Sequence, residues 1–139
     1  MAFTYTQEIK FRHCDPAGIV FYPRFFEMMN DTVEAFFAQR LAYPFSEMHQ
    51  TSGIPTAQIN AQFHAPSRLG DVLEITLTCT RLGRSSLDLG YQAMCGQELR
   101  FTGKSTIVFI NKTGKSQPWT DRIRTILQSN IQGEIPHGT

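Results

Sequence analysis

One carboxylate in the chain stands in a setting that suits catalysis. Asp15 lies in the stretch RHCDPAGIVFYPRFF, residues 12–26, just ahead of an apolar helix that we expect to begin near Pro23. The first N–H groups of a helix have no acceptor within the helix, and the helix dipole favours negative charge there. A carboxylate facing such donors can attack an acyl carbon or activate water while the donors hold the oxyanion.

Asp15 also has a purely structural interpretation. An Asp that precedes a Pro is common in turns, because its side chain can accept a hydrogen bond from nearby backbone. Gly18 permits close backbone approach, and the apolar residues that follow it would keep a small gap dry. The residues alone therefore leave both a turn role and a catalytic role open for Asp15.

The side chains around Asp15 are weaker catalytic candidates. His13 could tune Asp15 or contact a substrate, but a strand-end histidine bonded to backbone is the simpler interpretation. Cys14 has no accompanying Cys/His/Asn pattern, and a free cysteine usually behaves as small apolar packing. Glu27 is one helical turn from the same end, and an ordinary polar helix face accounts for it.

Composition places the chain among ordinary globular proteins. Its 139 residues predict one domain spanning 1–139, with a flexible C-terminal tail at about 130–139. The formal net charge of +1 offers no basic field for nucleic acid, and three cysteines without CxxC spacing fit a reducing compartment. With no secretory signal and no apolar run of about 20 residues, we predict a cytoplasmic protein without membrane contact, metal or cofactor.

Periodicity predicts that a strand leads into the Asp15 turn. Apolar and polar residues alternate from Phe3 to His13, with Phe11 among the apolar positions and Gln7 as the exception. This period of two is typical of a half-buried strand. The turn signal CDPAG ends it.

A long helix and four further strands are predicted from the remaining pattern. Apolar residues recur at helical spacing between Pro23 and Leu41, and 43–51 is interpreted as a loop or a short second helix. Four alternating segments follow, separated by turn signals, and a short terminal helix is predicted within 119–131. One antiparallel sheet packed on one long helix is the α+β arrangement that this order favours.

Two motifs resemble those of a known enzyme family. The stretch DPAGIVFYPRFF resembles the active-site turn and helix start of the hotdog-fold thioesterases of the 4-hydroxybenzoyl-CoA thioesterase type. The later stretch FHAPSRLGDVLEI resembles the second recurrent segment of that family, and the resemblance covers about residues 5–111. It implies a hotdog fold, in which a five-stranded antiparallel sheet wraps around one long helix, and hydrolysis of an acyl-CoA thioester.

The resemblance also implies catalytic roles. Asp15 would be the catalytic carboxylate, acting as nucleophile or general base, and Gly18 would shape its loop. The backbone N–H of Tyr22 would be the main oxyanion donor. By an ungapped count, Asn30 stands where the hydroxybenzoyl enzyme carries an acidic residue, so no preference for a para-hydroxylated aromatic acyl group is predicted. Short-chain, branched and other aromatic acyl groups stay open.

Substrate-binding residues are implied at two further places. The segment RLGRSS falls at a hairpin where the family holds the nucleotide part of CoA, and FHAPSRLGD resembles a pocket wall. The residues nominated are Arg84, Ser85, Ser86 and His64, with Arg81, Lys104 and Lys112 as weaker candidates. A solvated hairpin and a capped strand-end imidazole are the structural alternatives. The family's pocket lies between subunits, which implies a homodimer or a dimer-of-dimers tetramer that binds acyl-CoA.

Two other functions stay open on the same fold. An enoyl-thioester hydratase or dehydratase would pair a His with an acidic residue around a different loop, whereas this sequence carries the DPAG turn. A non-catalytic subunit that binds acyl thioesters would have little need of a carboxylate facing an oxyanion site. The sequence therefore favours a thioester hydrolase.

Overall fold

A curved sheet and one long helix form the body of the protein. The computed structural model describes residues 2–131. The strands are β1 (Phe3–Glu8), β2 (Ser52–Gly53), β3 (Thr56–Phe63), β4 (Val72–Leu82), β5 (Ser86–Cys95), β6 (Glu98–Val108) and β7 (Ile110–Asn111). The α-helices are α1 (Pro23–Gln39), α2 (Phe45–Met48) and α3 (Asp121–Ser129). Five strands form one antiparallel sheet in the order β1-β4-β5-β6-β3, while β2 and β7 pair separately.

Helix α1 packs on one face of this sheet, as the period change at Pro23 predicts. Its buried residues are Phe25, Met28, Met29, Thr32, Val33, Phe36 and Phe37. They share one core with the inward residues of β4 and β5, which are Leu73, Ile75, Leu77, Cys79, Leu87, Leu89, Tyr91 and Ala93. The helix approaches β6 so closely that a Cβ at Gly103 would lie 2.7 Å from the Met29 methyl carbon. The predicted α+β arrangement is thus confirmed.

Strand β1 is shorter than its alternation predicts. It ends at Glu8, and Phe11–His13 form one turn of 3₁₀ helix. This turn takes the chain out of the sheet, so Phe11 is 83% exposed, whereas Gln7, the predicted exception, is buried. The placement of Phe11 on the buried face was therefore wrong, because alternation carries no information once the strand has ended.

Strand β3 forms one edge of the sheet. Among the described residues it pairs with β6 alone, and seven of its eight residues are exposed. Ile59 and Phe63 are 42% and 45% exposed, although both lie on the predicted apolar face. An edge strand presents unpaired N–H and C=O groups, which are a template for pairing with another chain.

The C-terminal segment packs against the end of the sheet at which β4 meets β5. Trp119 stacks on Phe109 with ring centroids 4.8 Å apart. Its indole N–H donates to the Ser86 carbonyl over 3.1 Å. The predicted terminal helix, α3, follows directly and buries Ile123 and Leu127.

The beginning of the predicted tail is attached to this segment. Asn130 is buried, and its amide N–H₂ donates to the Ile126 carbonyl over 2.7 Å. Ile131 forms a parallel bridge with Cys79. The predicted flexible tail of about 130–139 falls mainly on residues 132–139, which lie outside the described residues, so it stays a prediction.

Candidate active site

The turn that carries Asp15 is a small hairpin fixed by main-chain hydrogen bonds. The Gly18 N–H donates to the Asp15 carbonyl over 2.9 Å, and the Asp15 N–H donates to the Ile19 carbonyl over 3.0 Å. Pro16 takes the turn position that its fixed φ suits. Gly18 has φ +82°, a left-handed conformation that costs other residues about 1–2 kcal/mol.

The Asp15 carboxylate takes part in this turn through one oxygen. Its Oδ1 accepts a hydrogen bond from the Ala17 N–H over 2.9 Å, which is the turn role that the sequence suggests. Within residues 2–131, no group donates to Oδ2 and no cation forms an ion pair with the half-buried side chain. The carboxylate is therefore held by one oxygen and leaves the other for a ligand.

The start of α1 leaves one backbone donor unused. The N–H groups of Arg24 and Phe25 donate to the carbonyls of Phe21 and Tyr22 over 2.9 and 3.0 Å, and Pro23 has no N–H. The Tyr22 N–H has no acceptor in the described part of the chain. The expectation of several free N–H donors is corrected to a single donor, the one named by the resemblance.

The second motif supports the Asp15 turn from the neighbouring loop. The Val20 N–H donates to the Ser67 carbonyl over 2.8 Å. Ile19 forms an antiparallel bridge with Arg68. The loop is closed by Asp71, whose Oδ2 accepts a hydrogen bond from the Arg68 N–H over 2.9 Å. The two motifs are therefore in contact, although about forty-five residues separate them along the chain.

Arg100 of β6 holds this loop in place. One guanidinium nitrogen donates to Asp71 Oδ2 over 2.7 Å, to Ser67 Oγ over 3.1 Å and to the Pro66 carbonyl over 3.2 Å. Its hydrogen bond, with that of the Arg68 N–H, holds the pKa of Asp71 below the usual range. The sequence analysis missed Arg100, because it lies 29 residues from Asp71 and no local pattern links them.

His13 and Cys14 have structural partners. His13 is buried, and its Nδ1 accepts a hydrogen bond from the Lys10 N–H over 2.8 Å. Burial, followed by the nearby Arg12 charge, lowers the pKa of His13 and favours the neutral imidazole. The Cys14 thiol lies 3.7 Å from the Lys10 carbonyl. On α1, Glu27 forms an exposed ion pair with Arg24, which fits a polar face.

The hairpin nominated for CoA lies at the opposite end of the sheet from Asp15. Strand β4 starts beside Glu8 of β1 and runs 11 residues before the hairpin begins. At the usual rise of an extended strand, that separation is about 35 Å. Arg84 is exposed, with one 3.3 Å hydrogen bond to Ser85 Oγ. Within one chain, the structure does not bring Arg84, Ser85 and Ser86 to Asp15.

His64 lies on the face of the sheet away from α1. Its Nε2 is 3.2 Å from Thr102 Oγ1. The preceding residue, Phe63, faces the helix, with its ring 5.4 Å from that of Phe25. Thr102 follows Phe101 in β6, and the Phe101 ring packs against Phe25 of the helix, so Thr102 and the His64 ring beside it lie on the other face. A pocket-wall role for His64 thus stays a prediction that this single chain does not support.

A cavity of about 830 Å³ lies between α1, β3 and the loops near α2. Phe26 and Met29 line it from the helix, Ile59 from β3, and Ile110 from β7. The sequence analysis did not anticipate this cavity, because its walls come together from segments far apart in the chain.

Two features are absent from residues 2–131. No cluster of three or more His, Cys, Asp or Glu side chains is arranged to hold a metal ion. No helix in the same range is long and apolar enough to cross a membrane.

Comparison with protein families gives one match that covers most of the chain. The model of the thioesterase-like superfamily matches residues 9–127, which extends past the region 5–111 assigned from motifs. A 1,4-dihydroxy-2-naphthoyl-CoA hydrolase from Trichodesmium erythraeum (strain IMS101) is 29% identical over 136 residues, covering 93% of this chain and 97% of the relative.

Solved structures give matching folds. A gentisyl-coenzyme A thioesterase superposes with a TM-score of 0.82 at 27% identity, covering 88% of this chain and 99% of the other. A 1,4-dihydroxy-2-naphthoyl-CoA thioesterase from Synechocystis superposes with a TM-score of 0.85 at 20% identity, covering 92% and 96%. These likenesses confirm the predicted hotdog fold.

Proposed function

The chain belongs to the thioesterase-like superfamily, and from that premise we propose that it is an acyl-CoA thioesterase with Asp15 as its catalytic carboxylate. The curated relative is a CoA hydrolase, which supports the reaction class. One observation carries the role of Asp15. A carboxylate with one unbonded oxygen is fixed in a turn that leads directly to the unbonded N–H of Tyr22.

In this proposal the Tyr22 N–H stabilises the oxyanion. When a nucleophile adds to the thioester carbon, negative charge develops on the carbonyl oxygen, and a fixed backbone donor stabilises that charge more than the neutral ground state. Removal of one such donor costs about 3–4 kcal/mol in known enzymes. The positive end of the α1 dipole acts in the same direction.

Asp15 can drive hydrolysis in two ways. As a nucleophile, it adds to the carbonyl carbon, the C–S bond breaks, and CoA leaves as a thiolate; water then splits the resulting anhydride into the free acid and Asp15. As a general base, it takes a proton from a water that adds to the same carbon, and the departing sulfur receives a proton. Both routes consume one water and require an ionised carboxylate.

The active unit in this proposal is a homodimer joined through β3, either alone or as half of a dimer-of-dimers tetramer. The free edge of β3 and its exposed residues Ile59 and Phe63 support pairing with a second copy. Antiparallel pairing about a two-fold axis brings the hairpin end of one copy to the Asp15 end of its partner. Arg84 could then bind the nucleotide part of a CoA whose thioester lies at the partner's Asp15.

An aromatic acyl group is the substrate class that we propose. The relatives named above act on dihydroxynaphthoyl and gentisyl thioesters. Near the Tyr22 N–H, the Phe63 ring lies 5.4 Å from Phe25, 6.2 Å from Tyr22 and 6.3 Å from Phe26. Such a group of rings offers edges and faces on which an aromatic acyl group can pack.

Replacement of Asp15 by Asn tests the proposal. Asn keeps an oxygen that can accept from the Ala17 N–H, so the turn is retained while the carboxylate is lost. We expect free-thiol release from aromatic acyl-CoA esters to fall by about 10²- to 10⁴-fold, with an unchanged Tm. The matched control is Asp31→Asn, at an exposed acidic residue of α1, which should leave turnover unchanged.

The same assay separates the competing functions. Full turnover in Asp15→Asn would remove Asp15 from the mechanism. Loss of an enoyl-CoA without thiol release would identify a hydratase. Binding of acyl-CoA across a broad panel without thiol release would identify a non-catalytic subunit.

A further inference from the structure

The cavity lies along the face of α1 that begins at Tyr22. Phe26 and Asn30 follow Tyr22 at four-residue intervals on one face of α1, and both line the cavity. Asn30 is about 12 Å from Tyr22 along the helix axis. On the facing strand, Ile59 lines the cavity and shares a face with Phe63, whose ring lies 6.2 Å from that of Tyr22.

The described lining of this cavity combines apolar and polar residues. The polar ones are Asn30, His49, Ser52, Thr56, Tyr91, Ser105, Asn111 and Lys112. Lys112 is the one Lys or Arg among the described lining residues, and none of the described residues forms an ion pair with it. In a ligand site, apolar walls supply contact area and a few polar groups fix the ligand's orientation.

The buried hydroxyls of the cavity are already satisfied. Tyr91 and Ser105 line it and hydrogen-bond each other over 2.7 Å. Burial raises the pKa of Tyr91, so its phenol stays neutral and offers no charge to a ligand. Lys112 is therefore the group in the described lining that can pair with an oxygen substituent carrying negative charge.

We propose that this cavity receives the acyl group and that Lys112 selects aromatic acyl groups bearing a carboxylate or other hydrogen-bond-accepting oxygen at the end far from the thioester. This inference rests on the proposed function, since it assigns the acyl group of the same reaction. The ammonium carries three donors and no acceptor, and the Asn30 amide is a further donor in the same lining. Lys112 is exposed, so an acyl group without the oxygen leaves the ammonium in water and gains no pairing with it.

Two matched substrates and two lysines test this assignment. The substrates are 6-carboxy-2-naphthoyl-CoA and 2-naphthoyl-CoA, compared in the wild-type enzyme, Lys112→Met and Lys112→Arg. We expect Lys112→Met to lower kcat/KM for the carboxylated substrate by about 10- to 100-fold and to leave the parent substrate unchanged. Lys112→Arg should keep most of the preference. Lys115→Met, three residues along the same loop and outside the cavity lining, should behave as wild type.

Equal losses on both substrates, or an unchanged preference in Lys112→Met, would overturn the assignment. A binding measurement separates it from the proposed function. If wild type releases no thiol from any ester, 6-acetyl-2-naphthoate and 2-acetylnaphthalene, in which a neutral methyl ketone replaces the thioester, are titrated by calorimetry. Weaker binding of the carboxylated ketone alone in Lys112→Met supports the assignment without turnover, and an unchanged affinity for it overturns the assignment.

Discussion

The two ends of the sheet are stabilised in different ways. At the Asp15 end, backbone hydrogen bonds join the loop behind the turn to Ile9 and Val20, and the one long side chain that ties this loop to the sheet is that of Arg100. At the hairpin end, the whole C-terminal segment takes part. Hydrogen bonds from this segment reach the hairpin backbone at several carbonyls. The N–H groups of Phe109 and Trp119 donate to Ser85 and Arg84, the Trp119 indole N–H donates to Ser86, and the Arg124 guanidinium donates to Gly83 and Arg84.

The groups that each end offers to a ligand differ as well. The Asp15 end offers a carboxylate oxygen and the Tyr22 N–H, both on backbone that is itself hydrogen-bonded. The hairpin end offers the long, exposed side chain of Arg84, which hydrogen-bonds the adjacent Ser85 hydroxyl. A rigid carboxylate suits the chemical step, which depends on position, whereas a long cation can follow a flexible phosphate. The difference indicates that substitutions at the Asp15 end should lower kcat, whereas substitutions at the hairpin end should weaken CoA binding.

The largest effect is expected at Arg100. In Arg100→Met, Asp71 and Ser67 lose a donor, and the loop that holds Val20 is loosened. We expect the free energy of unfolding to fall by about 2–3 kcal/mol, since the lost hydrogen bonds involve charged groups. We also expect kcat to fall with little change in KM. Urea unfolding and steady-state thiol release measure the two effects.

Arg124→Met is the matched control at the other end. Its guanidinium donates to the carbonyls of Gly83 and Arg84, but the bonds from Phe109 and Trp119 remain in the variant. A smaller loss of stability and an unchanged kcat are expected. If the two variants lose kcat equally, the Asp15 end is not the more sensitive one.

A smaller effect is expected at Arg84. Arg84→Gln removes the exposed cation and should raise KM for an acyl-CoA about tenfold, or about 1.4 kcal/mol. The same acyl group on N-acetylcysteamine lacks the nucleotide, so its KM should not change. Lys115→Gln controls for the loss of one positive charge. Equal shifts for both thioesters would mean that Arg84 does not bind the nucleotide part.

Mixed dimers sharpen this prediction. In a dimer of one Asp15→Asn chain and one Arg84→Gln chain, a site shared between subunits would combine the intact Asp15 of one with the intact Arg84 of the other. We expect the mixed dimer to keep the wild-type KM and to show about half the wild-type kcat, because one of its two sites is then complete. A KM equal to that of Arg84→Gln would place both residues in the same chain's site.

Features that depend on neighbours in sequence could be predicted. The inward residues of β4 and β5 follow their alternation, because one face of each strand is covered by α1. The DPAG turn was predictable for the same reason, since Pro16 and Gly18 fix its conformation locally. Alternation failed at Phe11, where the chain had already left the sheet. The two-residue strands β2 and β7 are too short to show any period.

Features that depend on distant pairing could not be predicted. The number of free donors at the start of α1 follows from which carbonyls Arg24 and Phe25 reach, and this is a property of the folded backbone. Arg100 had no local signal, although an acidic residue such as Asp71 in a tight loop indicates that some donor must lie nearby. The cavity, too, is assembled from separate segments of the chain.

The smallest predicted effect concerns pH and again separates the two ends. Burial lowers the pKa of His13 in the folded state, whereas in the unfolded chain the imidazole takes up a proton at about pH 6.5. The contribution of neutral His13 to the free energy of unfolding is therefore complete above about pH 6.5 and is lost as the pH falls below it. In His13→Asn, an amide oxygen can still accept from the Lys10 N–H but does not titrate, so its Tm should fall less between pH 7.5 and 5.5.

Hydrogen exchange would locate this effect. The Phe21 N–H, which donates to the His13 carbonyl over 3.0 Å, should lose protection at pH 5.5 before the Trp119 N–H at the hairpin end. After correction for the intrinsic pH dependence of exchange, the two amides should keep the same ranking in His13→Asn at both pH values. An equal loss of protection at both ends in wild type would show that acid destabilises the whole fold and that protonation of His13 does not cause local opening.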